Sequence, residues 1–357
     1  MAMEAFTEPS VFDRAIFDPP SSILDGLKWI SVVSGLIMSP PLDVICLGEL
    51  LIDFVPTPSL SPLSRTRLFR LAPGGAPANV AVASRRLGMS CGFIGKVGDD
   101  PFGRYLRDVL KQEGLNLGLF TLSSEALTRL AFVTNDSNER QRFLFYGNPG
   151  ADVLLRPDEV QENYFRGARI FHFGSISLIQ EPSRSATLTA LDYAHKHGLI
   201  VSFDPNLRPA LWPSLKQARQ EILRTLSHCH ILKMNQSEWE FLFPGRKFED
   251  SLSMLERKGI SLSAVTLGAQ GSIIGSHNQW TRMNGPQVKV VDTTGAGDGF
   301  MAGLLYQSLK RNRAPLRFEK AELTEMARFA NVVGAFTTTK AGCIPAFPWL
   351  RQVKKYL

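Results

Sequence analysis

Short apolar runs recur along this chain, most of them closed by a glycine or a polar turn, and several of them are followed by apolar residues at helical spacing. Asp43 to Leu47, ended by Gly48-Glu49, predicts a buried parallel strand, and Cys91 to Gly95 predicts another. From Arg169 the alternation is regular. Ile170 to Gly174 reads as a strand, Arg184 to His197 as a helix, and Leu199 to Asp204 as a strand. The helix follows from Ala186, Leu188, Leu191 and Ala194, and Gly198 ends it. His230 to Met234 gives a strand with a helix opening behind Asn235, and Val288 to Val291 reads as a short strand before a long apolar-periodic helix. Such alternation predicts βαβ units and an α/β domain with a parallel sheet. One region breaks the pattern. Arg129 to Thr134 and Gln141 to Tyr146 alternate around the turn Asn135-Asp136-Ser137-Asn138, which is a hairpin signal foreign to a parallel sheet. With Asp53 to Arg70 it predicts a small separate sheet, discontinuous in sequence at about 53–70 and 128–148.

With 357 residues there is room for one large α/β domain or two smaller ones, and 44% hydrophobic with 20% charged residues fits a globular protein. A net charge of +7 favours an anionic substrate, but no dense basic tract interleaves with aromatics. Lys310, Arg311, Arg313 and Arg317 read as a solvated loop, so no nucleic-acid partner is expected. Cys46, Cys91, Cys229 and Cys343 are scattered, which suits reduced thiols and a cytoplasmic location. The pairs His195/His197 and His228/His230 have no carboxylate or cysteine at metal-ligand spacing and read as surface residues. Residues 1–41 read as an extension of unknown role, with an amphipathic helix as one option. Ile23 to Met38 is apolar but short and carries Asp25 and Lys28, so no membrane span is expected. The acids Glu4, Glu8, Asp13 and Asp18 fit neither a secretory leader nor a transit peptide, and Met38 offers an alternative start.

Candidate chemistry concentrates in Asp292 to Leu305, DTTGAGDGFMAGLL. Gly295-Ala296-Gly297 lets the backbone turn sharply into the helix, whose first amides have no partner within it. The positive end of the helix dipole makes that terminus a site for an anion such as a phosphoryl group. Asp298 falls just inside it, and a base beside an anion cradle is what phosphoryl transfer to a hydroxyl requires. The same residues also read as a tight turn with a helix N-terminal charge. Elsewhere, Asp53 among apolar residues is a strand-end cap or a ligand for polyol hydroxyls. Gly74, Gly75 and Asn79 form a turn into a helix of small residues, where a ligand can approach the backbone and Asn79 can serve a hydroxyl. Asp204-Pro205-Asn206-Leu207-Arg208 is a stabilised turn or a polar contact at a strand end. Asn235 and Glu238 fit a capping box.

The strings GGAPANVAV, FHFGSISL, DPNLRPALW and DTTGAGDGF resemble the ribokinase-like (pfkB-type) carbohydrate kinases, and most closely their fructokinase branch. The resemblance covers essentially Asp43 to Phe347. It implies a doubly wound three-layer α/β/α domain whose small β-sheet serves as a lid over the sugar, with Phe132, Phe145 and Tyr146 at the sugar or the hinge. It implies ATP as co-substrate, Mg²⁺ held through water by Asn235 and Glu238, a nucleotide lined by Thr266, Gly268, Gly271 and Asn331, and K⁺ as a monovalent cation beside Asp292. Lys96 and Asp99 fall in a segment expected to fix a loop. The family reading makes Asp53, Gly74, Gly75, Asn79, Phe132, Tyr146 and Arg208 the substrate contacts, and Gly295, Ala296, Gly297 and Asp298 the catalytic turn. One departure stands out: fructokinases commonly carry Arg where this chain has Gly147.

The expected reaction is transfer of the ATP γ-phosphoryl group to a primary hydroxyl, with D-fructose to fructose 6-phosphate first. Other acceptors (2-keto-3-deoxygluconate, ribose, a nucleoside) and a catalytically silent interaction protein are the alternatives. A dinucleotide-binding oxidoreductase would need G-x-G-x-x-G after the first strand, where only Gly48-Glu49 stands. A small sheet with an exposed edge or face commonly pairs with a second protomer, so a homodimer through it is a further expectation.

Overall fold

A computed structural model describes residues 41–57, 63–135, 141–147, 149–311 and 316–357. The expected N-terminal extension, except its last residue, and the tip of the expected hairpin turn lie outside these residues. The strands are β1 (Val44–Leu47), β2 (Leu51–Pro56), β3 (Phe69–Gly74), β4 (Cys91–Gly98), β5 (Asn116–Ser123), β6 (Leu130–Asn135) and β7 (Gln141–Tyr146). They continue as β8 (Ile170–Gly174), β9 (Ile200–Asp204), β10 (Ile231–Asn235), β11 (Leu262–Thr266), β12 (Ser272–Ser276) and β13 (Gln279–Met283). The helices used below are α1 (Ala76–Arg86), α2 (Pro101–Gln112), α3 (Ser183–Lys196), α4 (Leu215–Thr225), α5 (Gln236–Leu242), α6 (Leu252–Arg257), α7 (Ala296–Arg311) and α8 (Lys320–Thr337).

Among the described residues the strands form two sheets. The larger has nine strands in the order β13-β12-β11-β10-β9-β8-β1-β4-β5, parallel from β11 to β5 and antiparallel through β12 and β13. Its inner strands β1, β4 and β8 are buried on both faces, whereas the edge strands β13 and β5 are partly exposed. In β1, Val44 and Cys46 join the core formed with α1, α7 and α8, while Ile45 and Leu47 join the core formed with α3 to α6. A strand apolar at every position is therefore what two helical layers require. The chain leaves β1 first toward β4 and β5 and later toward β8 and β9, so strand order reverses beside β1. Open α/β sheets place ligands at the carboxyl ends of strands at such a reversal. Close packing of α7 on α8 depends on Gly303, where an added Cβ would lie 2.9 Å from Ala330 Cα.

The smaller sheet, β3-β2-β6-β7, is assembled from the discontinuous segments. The hairpin β6–β7 is antiparallel, and β2 runs parallel to β6. Arg129, at the entry to β6, reaches Asp152 Oδ1 at 2.9 Å, and both side chains are almost wholly buried. Removing one member of such a buried pair typically costs about 3–5 kcal/mol, so this contact fixes where the small sheet leaves the body.

Two local expectations change. Strand β4 runs on to Gly98, so Lys96 lies within it, buried, with Nζ donating to Leu154 O at 2.9 Å and to Glu159 Oε2 at 2.6 Å. Asp99 instead pairs with Arg104 at the surface. The segment Val288 to Val291 is not a strand. It has no ladder partner, and the Val291 and Asp292 amides donate to Thr338 O just beyond α8.

Candidate active site

A cleft of about 900 Å³ opens at the carboxyl ends of the parallel strands, between the N-terminus of α7 and the small sheet. Gly295 carries the chain into α7 at φ 79°, a left-handed conformation that a side chain would strain, and Cys343 packs directly against it. The Ala296 amide turns back onto Thr293 O at 3.3 Å. The amides of Gly297 and Asp298 find no acceptor among the described residues, so they, rather than Ala296, form the donor end of the helix.

Asp298 is 5% exposed and lines this cleft. Asn79 Nδ2 donates to its Oδ2 at 2.8 Å, and Asn206 Nδ2 donates to its Oδ1 at 3.3 Å. These donors come from the first turn of α1 and from the turn after β9, far apart in sequence. Burial, seconded by the charge of Asp204, raises the Asp298 pKa to about 6, against the pull of Lys233, the Asn79 bond and Arg208. A carboxyl group so placed is ionised at neutral pH yet basic enough to take a proton.

Around one end of the cleft stand Glu49, Asp53, Gly75, Asn79 and Arg208, with Phe143 and Phe145 from β7. Burial raises Glu49 and Asp53 to about 7 each. Glu49 Oε1 accepts the Ala76 amide at 2.8 Å, while its Oε2 is buried without a partner among the described residues. The backbone at Gly75 (φ 111°) runs so close to Glu49 O that no side chain fits. Arg208 lies 4.9 Å above the Phe143 ring, joining the turn after β9 to the small sheet.

Thr266, Gly268, Gly271 and Asn331 line the opposite end, with Val288 and Val290. Asn331 Nδ2 donates to Met283 O at 3.1 Å, which ties α8 to β13. Asn235 and Glu238 line the middle and form a complete capping box: Asn235 Oδ1 accepts the Glu238 amide at 2.9 Å, and Glu238 Oε2 accepts the Asn235 amide at 2.8 Å. The second oxygen, Glu238 Oε1, accepts the Leu207 amide at 2.7 Å. Among the described residues no three His, Cys, Asp or Glu side chains are grouped to hold a metal ion. Such a site fits Mg²⁺ that arrives with its nucleotide and keeps its waters, since each carboxylate oxygen retains a lone pair.

Four expected site residues do not line the cleft. In the small sheet side chains alternate between faces. Asp53 pairs with Ala131 and Ala131 with Phe145 on the cleft face, whereas Phe54, Phe132 and Tyr146 share the opposite face. Phe132 and Tyr146 therefore point away from the cleft, and Phe143 takes their place beside Phe145. Gly74 does not line the cleft; it makes room for the Asp53 carboxylate, which an added Cβ would strike. Asp292 also lies behind the lining. Its Oδ1 accepts the Thr294 amide and hydroxyl at 2.9 and 2.6 Å, and its Oδ2 accepts the Gly342 amide at 2.9 Å, so it fastens two loops together. Sequence reasoning also overlooked Glu49 and Lys233 as site residues. The signal was available for Lys233, a lone charge inside the apolar run of β10.

Residues 42–350 match the pfkB family carbohydrate kinase. Fructokinase-1 of Zea mays is 45% identical over 311 residues, 87% of this chain and 96% of that protein. A Vibrio cholerae fructokinase double mutant, solved with fructose, ADP and potassium ion, superposes with a TM-score of 0.77 at 32% identity, covering 88% of this chain and 97% of that one. Aminoimidazole riboside kinase of Salmonella enterica, complexed with aminoimidazole riboside and an ATP analogue, gives 0.75 at 32% identity over 88% of this chain and 99% of that one. The protein is thus a phosphotransferase of the ribokinase-like fold, and this chain belongs to the pfkB family of carbohydrate kinases.

Proposed function

We propose that this protein phosphorylates D-fructose with ATP, with Asp298 as the base that takes the proton of the 6-hydroxyl. The observation that carries this reading is the meeting of the Asp298 carboxylate with the unpaired Gly297 and Asp298 amides at one end of α7. The hydroxyl oxygen attacks the γ-phosphorus in line, and the bond to the ADP oxygen breaks. The amides serve the phosphoryl oxygens, donors of a kind worth about 3–4 kcal/mol each when removed. Bound with ATP, Mg²⁺ would neutralise charge on the phosphates, and Asn235 and Glu238 would hold its waters. Asp292 would receive K⁺ where its two loops meet.

The acceptor end favours a neutral polyol. Glu49, Asp53 and Asp298 face Arg208 there, an acidic balance that suits hydroxyl donors and opposes an anionic acceptor such as 2-keto-3-deoxygluconate. The small sheet acts as a lid, presenting Phe143 and Phe145 and excluding water from the phosphoryl group. Its outer face carries Phe54, Phe69, Leu71, Phe132, Leu144 and Tyr146, the last 55% exposed, and a second copy of the chain covers it in a homodimer. The four buried free thiols suit a cytoplasmic enzyme.

An ATP-coupled screen of fructose, mannose, ribose, 2-keto-3-deoxygluconate and aminoimidazole riboside tests the assignment. Fructose should show the highest kcat/KM. Selective turnover of another acceptor would overturn the branch, and no turnover of any would favour a silent interaction protein.

A further inference from the structure

Strand β10 buries an ammonium group. Leu232 and Met234 pack with the core beneath α3 to α6, so Ile231 and Lys233 face the α1 and α7 layer by alternation. Lys233 is only 4% exposed, yet it lines the cleft. One of its three N–H donors is used by Asp204 Oδ2 at 2.8 Å, from the same face of neighbouring β9, itself 2% exposed. Two donors remain. The ammonium rests against Gly297: an added Cβ there would lie 2.7 Å from Nζ and 3.7 Å from Cε. A buried charge is costly unless compensated, and the Asp204 pair supplies that compensation but does not explain why the ammonium sits against Gly297, whose amide is unpaired. Burial works against the charged form, but Asp204, Glu238 and Asp298 outweigh it and hold the Lys233 pKa above the ordinary lysine value.

We propose that Lys233 is a catalytic residue whose ammonium binds the transferred phosphoryl group, closing a clamp with the Gly297 and Asp298 amides. The inference rests on the phosphoryl-transfer reading of the site. A lysine suits this role as a compact point charge with donors to spare. It keeps its proton throughout: the hydroxyl proton goes to Asp298, the new O–P bond forms, and the electron pair of the broken bond leaves with ADP. Asp204 is the positioning residue that aims the ammonium. The juxtaposition also predicts that Lys233 contacts the group present in ATP and absent from ADP.

Calorimetry without acceptor tests this, comparing ADP with a non-hydrolysable ATP analogue on the full-length enzyme. Because Lys233→Met alone strands Asp204, the double variant Lys233→Met/Asp204→Asn is made alongside it. Either folded variant should lose at least tenfold of the wild-type preference for the triphosphate, and kcat should fall at least a hundredfold with fructose KM within twofold. An unchanged preference with kcat within fivefold overturns the proposal, and fructose turnover in that case leaves the sugar-kinase reading intact. Absent fructose turnover by wild type, combined with a preference lost in the variants, supports Lys233 and removes the sugar reading instead. Independently of any variant, a wild-type crystal with the analogue should show Nζ within about 3.2 Å of a terminal phosphoryl oxygen; a separation beyond about 5 Å overturns the proposal.

Discussion

The two sheets use the same alternation of side chains to opposite ends. In the nine-stranded sheet both faces of the inner strands are covered by helices, so β1, β4, β8, β9 and β10 are mostly apolar and a charged residue within them stands out. Lys233, Asp204 and His172 lie on one face of it, and His172, pushed down to about 4 by burial, remains neutral at its bond to Ser202. In the four-stranded sheet one face meets the cleft and the other lies outside, and both carry aromatic rings. The large sheet thus holds charged groups in buried pairs, while the small one supplies a surface with aromatic rings on both sides and Asp53 on the cleft side alone. Chemistry resides at the ends of the first, and enclosure with the second.

That division makes its sharpest prediction at Asp298. Asp298→Asn should lower kcat by about 10³–10⁴-fold while ATP affinity changes little, since general-base loss of this kind reaches that range. Near-normal turnover would move the base elsewhere. The same variant should melt at a higher temperature than wild type at pH 8. The Asp298 pKa rises from the usual 3.8 to about 6 on folding, so the folded state holds a proton that the unfolded state releases. Stability from that proton is complete below pH 4 and lost as pH climbs through 6, and an amide at this position escapes the loss. A lower melting temperature at pH 8 would contradict this account of the charge.

The hinge between the sheets comes next in size. Arg129→Met leaves the Asp152 carboxylate buried and unpaired and should cost about 3–5 kcal/mol, read by denaturant unfolding. A loss below about 1 kcal/mol would show that the small sheet is anchored by other contacts.

The smallest effects separate the two faces of the small sheet. Phe143→Ala should raise fructose KM severalfold, consistent with its place beside Arg208, and leave the ATP KM unchanged. Tyr146→Ser should leave both KM values alone and weaken self-association in sedimentation equilibrium. Exchanged outcomes would mean that the register of β6 and β7 presents the other face to the cleft.

These positions also show what was legible in the chain. Parallel strands, the discontinuous small sheet, and the residues of the α7 turn could be read because each rests on local chemistry: an apolar run, a polar turn, or glycines before a helix. Phe132 and Tyr146 were misplaced because facing is a matter of register, set by β2 pairing with β6, and a one-residue shift exchanges the faces. Val288 to Val291 looked like a strand because its apolar residues line the cleft instead of joining a ladder. Gly74 and Asp292 carry the family pattern, but their neighbours are the Asp53 carboxylate and the Gly342 loop, contacts that span the fold. Lys233 was readable in principle, since a buried strand does not keep an ammonium without reason.

The convergence of sugar and nucleotide on Asp298 is tested most directly by a crystal structure of the enzyme with fructose and a non-hydrolysable ATP analogue. The 6-hydroxyl oxygen should lie within about 2.6–3.2 Å of an Asp298 carboxylate oxygen, with the terminal phosphorus on its far side. A hydroxyl held more than about 5 Å away, or bonded to Asp53 or Glu49 instead, would contradict it.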